Sequence, residues 1–223
     1  AFERCECIVV SSAAFVDSYA KDFVQKKPDK WIEIENKIYV QDVIGQSAAK
    51  SDTCNSDCLT IGYFGLVRCN RSLEILLNLA EQANGQVKVN VHGIYLNIDD
   101  ALISKVEASQ WVTYHGPYDN PVDLTAIYSS CDLVWACYPF SEGQVGNYQW
   151  AKTNRYFEAC YFGKPMIASQ GTIDGDNVRS LDIGLCLDLS KVVPAVGQMM
   201  AIESKHLSRW SRNLTAMPQT EYI

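Results

Sequence analysis

No apolar run in this chain of 223 residues approaches the ~20 residues that cross a bilayer as a helix, and no stretch reads as a signal peptide. Positive charge is in deficit. The formal net charge of -7 excludes a broadly basic nucleic-acid surface, although local basic pockets remain open. Histidine is scarce, and the three present lie far in sequence from the nine cysteines, so no complete set of metal-ligand spacings exists. Neither the Gly-x4-Gly-Lys-Ser/Thr phosphate loop nor the Gly-x-Gly-x-x-Gly dinucleotide signature occurs. Ser12 and Ser141 lack the context of a nucleophile elbow.

What is present describes a soluble globular protein, 48% hydrophobic and 20% charged, of one large domain or one domain plus a fragment. Cys131, Cys137, Cys160 and Cys186 sit inside apolar runs, where a free thiol behaves as a small hydrophobe. An odd cysteine count with no framework fits a reducing cytoplasm. The chain opens on Ala1 with a strand following at once, which suggests a fragment of a longer protein.

Residues 7–11 read as a buried strand, followed by a helix from Ala13 to Gln25 with Phe15, Tyr19 and Phe23 at spacing four. Trp31 to Glu35 alternates as a half-exposed strand does, and residues 36–57 read as a linker. From Leu59 strands and helices alternate. Strands are expected at 59–64, 87–93, 111–114, 131–136, 166–169 and 183–187, with helices between and after them. Residues 170–177, including Asp174-Gly175-Asp176, read as a loop containing a turn, since the rest of a cation-loop pattern is missing. This rhythm predicts an α/β fold, a Rossmann-like doubly wound parallel sheet flanked by helices, which binds ligands at the carboxyl ends of its strands.

The stretch from Asn154 to Ala168 organises the candidate site. Asn154 and Glu158 are one helical turn apart, Gly163 suits a left-handed helix stop, and Pro165 cannot continue the helix. The bland alternative is an amphipathic helix with two solvated polar residues. Gly65 closes the first strand of the unit and permits close approach of a ligand. Arg68 and Arg71 follow it, and positive charge beside a helix N-terminus favours a phosphate or diphosphate over a merely solvated loop. Glu158, acceptor-only when ionised, suits ribose or sugar hydroxyls. Arg155 is either a further phosphate contact or a surface charge, and the surface reading is the safer one. His92 and His115 each end a strand beside glycine and could serve as bases, but structural roles are commoner for such histidines.

Several pieces now fall in one order: Ile61-Gly62-Tyr63-Phe64-Gly65-x-x-Arg68, Val89-x-Val91-x-Gly93, Val112-x-Tyr114-x-Gly116, Cys131-Asp132-Leu133-Val134, Asn154-Arg155-x-x-Glu158-Ala159-x-x-Phe162-Gly163-Lys164-Pro165, and Ile183-Gly184. From about Leu59 to Leu189 this set resembles the C-terminal, nucleotide-sugar-binding domain of GT-B-fold glycosyltransferases, family 4 in particular. Residues 7–35 resemble the last strand-helix-strand of the N-terminal domain of that family. The resemblance implies two regions: 1–58, the end of the acceptor domain plus linker, and 59–223, the donor domain. It implies retaining transfer of a sugar from a nucleoside-diphosphate sugar, without cofactor or metal, to a glycan or lipid-linked acceptor in surface or capsular polysaccharide synthesis. The location would be cytoplasmic, with contact to the inner face of the membrane open to the full-length protein.

By position, the resemblance makes Arg68 the stabiliser of the departing diphosphate and Glu158 the ribose ligand, the second glutamate of a Glu-x7-Glu motif. Gly65, Arg71, Gly116, Tyr118, Asn147 and Asn154 would complete the donor site. The first glutamate of that motif falls on Trp150, so its sugar-facing role is vacant or taken by Asn147, Asn154 or Glu142. The chain alone is expected to bind donor weakly and not to turn over. Two rivals remain: a non-catalytic Rossmann-like binding or regulatory module, and a GT-B-fold sugar-nucleotide epimerase using His92 or His115.

Overall fold

A computed structural model describes residues 5–17, 28–39, 41, 58–138 and 147–223, with Asn147 described by its backbone alone. Most of the helix expected over 13–25 and of the linker expected over 36–57 lies outside the described residues. So do Ser141 and Glu142.

Near the N-terminus, β1 (Ile8–Val10) pairs in parallel with β2 (Trp31–Glu33). The remainder is one six-stranded parallel sheet in the order β5-β4-β3-β6-β7-β8. Its strands are β3 (Leu59–Val67), β4 (Val87–Tyr95), β5 (Val112–Gly116), β6 (Leu133–Trp135), β7 (Met166–Ser169) and β8 (Gly184–Leu187). Between and after them run α1 (Asn70–Gln82), α2 (Asp100–Ala108), α3 (Leu124–Ser129), α4 (Asn154–Tyr161), α5 (Ile173–Ser180), α6 (Val192–Met200) and α7 (Ser204–Ala216). Counted from β3, this is the doubly wound Rossmann order, whose direction reverses between β3 and β6 and opens a crevice at their carboxyl ends.

The period-2 rule divides the core between the two faces of the sheet. Ile61, Tyr63, Leu133, Trp135 and Ile167 point to one face, under Leu73 and Leu76 of α1, Val106 of α2 and Val196 and Met199 of α6. Phe64, Val134, Met166 and Ala168 point to the other, under Ile127 and Tyr128 of α3 and Phe157 and Ala159 of α4. None of the described helices is long and apolar enough to cross a membrane.

Two expectations change. Gly65 does not close its strand: β3 continues to Val67, paired Gly65↔Gly93, Leu66↔Ile94 and Val67↔Tyr95 with β4. The cause is a glycine pair. Gly65 has φ +89 and Gly93 φ +147, and a Cβ on Gly93 would stand 1.7 Å from the Gly65 carbonyl oxygen. The two strands stay paired past the point where a single glycine reads as a stop. His92 likewise lies inside β4 rather than at its end.

The second change concerns residues 170–177, which hold not a loop but the start of α5. Thr172 caps it by accepting from the Gly175 amide at 3.0 Å, with Asp174 and Asp176 in its first turn and Arg179 in its last. Each of these features complements the helix dipole or its unpaired amides.

Candidate functional site

Arg68 stands immediately past β3, at the crevice. Its guanidinium lies over the rings of Tyr148 and Tyr138, 5.2 Å and 5.9 Å from their centroids, a geometry that holds a cation without neutralising it. Its Nε is buried without a hydrogen-bond partner. Trp135 Nε1 and Ser169 Oγ, in the last residues of β6 and β7, are unpartnered too, as are Tyr95 OH at the end of β4 and Ser72 Oγ in α1. Among the described residues these are all the buried side-chain polar atoms of this kind, and all but Ser72 Oγ are at or just past the carboxyl end of a strand. Leaving a buried donor unmade costs about 1–3 kcal/mol, so native proteins keep such groups few. Their concentration on one edge marks where an external polar ligand would supply acceptors.

Glu158 faces inward from α4 and is 6% exposed. Tyr128 OH donates to its Oε2 at 2.7 Å and Asn120 Nδ2 to its Oε1 at 3.3 Å. Burial pushes its carboxyl above the usual range, while Tyr128, Arg155 and Asn120 pull it back toward the charged form. A carboxylate has about four acceptor positions. These two donors leave capacity for hydroxyls.

Arg155 corrects the surface reading. Its guanidinium lies 5.5 Å from the centroid of the buried Tyr63 ring, and Nη1 donates to the Trp135 carbonyl at 3.5 Å. The spacing explains it: Arg155 is three residues before Glu158, on the same helical face, and that face turns into the crevice. Its charge acts on Glu158, Tyr118, Tyr138 and Asp174. Asp174, read as part of a turn, is 1% exposed and accepts the Thr153 amide with both oxygens, at 3.1 Å and 3.4 Å. Burial pushes its carboxyl up to about 7, opposed by the Thr153 bonds and by Arg155 and Lys152.

Other expected residues are gathered unevenly. Tyr118 reaches the group: its hydroxyl would be 3.9 Å from a Cβ on Gly65, and burial, then Glu158, pushes it up to about 12. Gly116 ends β5 with φ +82. Asn154 is exposed in the first turn of α4. The backbone of Asn147 belongs to a 3-10 turn, and its side chain lies outside the described residues. Arg71 turns to the Ser190 carbonyl at 3.2 Å and the Glu74 carboxylate at 3.3 Å, along α1. Trp150 is buried, edge-on to Phe15 with centroids 6.2 Å apart. His92 and His115 stack on each other at 4.3 Å and 8°, with His115 Nε2 3.2 Å from Asn90 Oδ1. Burial, then the neighbouring His115, lowers the pKa of His92.

Sheet order, crevice and helix α4 together have a counterpart among solved proteins. The chain has the Rossmann-like fold of GT-B glycosyltransferases. The C-terminal domain of the group 1 glycosyl transferase LpcC from Francisella tularensis aligns with TM-score 0.56 and 16% identity over 74% of this chain and 86% of that one. Anabaena HepE, in complex with UDP and glucose, aligns with TM-score 0.70 and 13% identity over 98% of this chain and 59% of its own. WaaG, a glycosyltransferase of lipopolysaccharide biosynthesis, gives 0.66 and 13% over 96% and 60%.

In sequence, the chain is 31% identical over 187 residues to the succinoglycan biosynthesis protein ExoL of Rhizobium meliloti, covering 81% of this chain and 45% of ExoL. The chain thus spans a little under half the length of that curated relative. No protein-family model matches it.

Proposed function

We propose that the full-length protein is a retaining glycosyltransferase of polysaccharide synthesis, and that residues 59–223 bind its nucleoside-diphosphate sugar. One observation carries this reading: Arg68, its Nε buried without a hydrogen-bond partner, stands just past β3 at the strand ends of a sheet with GT-B order. Arg68 faces the diphosphate and Glu158 the ribose. Gly65 lets the donor approach the backbone, and Gly116 and Tyr118 flank the base. Asn154 and Asn147 are assigned to the sugar, and Arg71 to the outer phosphate. UDP is the nucleotide to test, since HepE is in complex with it.

In the transfer, the bond from the anomeric carbon to the β-phosphate oxygen breaks and its electron pair goes to the diphosphate. The acceptor hydroxyl forms the new bond on the same face, and its proton passes to the departing β-phosphate oxygen. A fixed guanidinium stabilises the departing charge more in the transition state than in the ground state. Residues 1–58 are the end of an acceptor domain and its linker, in a cytoplasmic enzyme that takes a glycan or lipid-linked acceptor at the inner membrane face.

Trp150 favours a second reading, a non-catalytic binding module, because its buried packing against Phe15 fills the place expected for the first glutamate. Full-length protein given UDP-glucose, with lipid-linked oligosaccharide as acceptor, separates the two. Transferred sugar and free UDP support the transferase. Bound, unconsumed donor supports the module, and an epimerised nucleotide sugar supports an epimerase.

A further inference from the structure

Asp174 is a buried carboxyl group that the reaction above does not use. A carboxylate in this position is costly unless its environment compensates it. Here the compensation is directional. Both oxygens face the amide of Thr153, and Thr153 is the N-cap of α4, its own Oγ1 accepting from Tyr156 N at 2.9 Å. The other end of the brace is equally fixed. Thr172 Oγ1 donates to the Ser169 carbonyl at 2.7 Å, and a Cβ on Gly175 would stand 2.1 Å from that same carbonyl oxygen. The start of α5 is therefore pressed onto the end of β7, and Asp174 reaches from it to the start of α4. The charged and titratable groups around the carboxylate are Arg155, Lys152, Tyr138, Tyr156 and Cys160.

Helix α4 carries Arg155 and Glu158, so any tilt of its first turn moves both. We propose that Asp174 is a positioning residue for donor binding: through the Thr153 amide it fixes the first turn of α4 on β7 and so sets Arg155 and Glu158 against the nucleoside diphosphate. This role rests on the donor-site reading above. A neutral acceptor of the same shape retains the brace, whereas truncation leaves the Thr153 amide without its acceptor.

The test is calorimetric titration of UDP into full-length protein, at a temperature where circular dichroism shows every variant folded. Asp174→Ala is expected to weaken UDP binding by about tenfold, as loss of one hydrogen bond to a charged group does. Asp174→Asn, whose amide oxygen still accepts from Thr153, is expected within about threefold of wild type, because the geometry is kept. Should Asp174→Ala not fold, Asp174→Ser withdraws the carboxylate while keeping a polar side chain and carries the same comparison. Wild-type affinity in the truncated variant overturns the role, and so does an Asn variant that falls as far as the Ala variant. Absence of UDP binding by the wild type overturns the donor reading itself, and this inference with it.

Discussion

Removing the Tyr128 hydroxyl tests how the buried carboxylate of Glu158 is held. The ring of Tyr128 is fully buried between Phe64, at 4.8 Å, and Phe162, stacked at 4.7 Å. Tyr128→Phe keeps that packing and opens no methyl-sized cavity. What it deletes is the 2.7 Å bond to Glu158 Oε2, leaving the longer Asn120 bond. A hydrogen bond to a charged group contributes about 1.5–3 kcal/mol, and one between neutral groups about 1 kcal/mol. The cost therefore depends on the charge state of Glu158. Its carboxyl is already raised by burial, and Tyr128 is the largest influence holding it down, so the variant raises it further.

The sign of the pH effect follows. An acid whose folded-state pKa is raised binds its proton more tightly folded than unfolded. Stability is then highest below the unfolded value and falls as pH rises through the folded one. Urea unfolding should show Tyr128→Phe destabilised by about 1.5–3 kcal/mol at the alkaline end of the range, where Glu158 is ionised, and by only about 1 kcal/mol at the acidic end, where the neutral-pair value applies. A loss that is equal across the pH range, or larger at the acidic end, refutes the view that Tyr128 holds a carboxylate.

Gly93→Ala should destabilise by about 3 kcal/mol or more in urea unfolding, because a Cβ there meets rigid backbone and no side chain can yield; a loss under about 1 kcal/mol contradicts the glycine-pair account. Asp174→Asn should flatten the pH dependence of stability. With a folded value of about 7, against about 3.9 unfolded, wild-type Asp174 costs stability progressively from about pH 4 to pH 7, by up to about 4 kcal/mol, and the amide removes that slope. Parallel wild-type and variant curves across that range contradict it.

The sequence shows the alternation of strands and helices plainly, because helix stops are chemically marked. Gly163 takes φ +63 after α4, and Asn84 and Gly85 take positive φ after α1. The helix that carries Asn154 and Glu158 was legible from its spacing and its stop, although Asn154 is exposed and Glu158 buried. The inward position of Arg155 was not, because an arginine beside two polar residues reads as solvated; its three-residue spacing to Glu158 was the available signal. Asp174 was hidden by Asp-Gly-Asp, which favours a turn locally. Tertiary packing of Gly175 on β7 overrides that preference, and Thr172 ahead of two acidic residues was the helix-start signal. The partners Tyr128 and Asn120 lie 30 and 38 residues from Glu158 and are joined to it only by the fold.

The central claim is a diphosphate-binding crevice beside Arg68. Titration of UDP into wild-type protein and Arg68→Ala tests it most directly. Losing charge-assisted bonds of about 1.5–3 kcal/mol weakens binding by about 10–100-fold. Saturable wild-type binding with that loss in the variant is the expected result. Equal affinities, or no binding by the wild type, would contradict it.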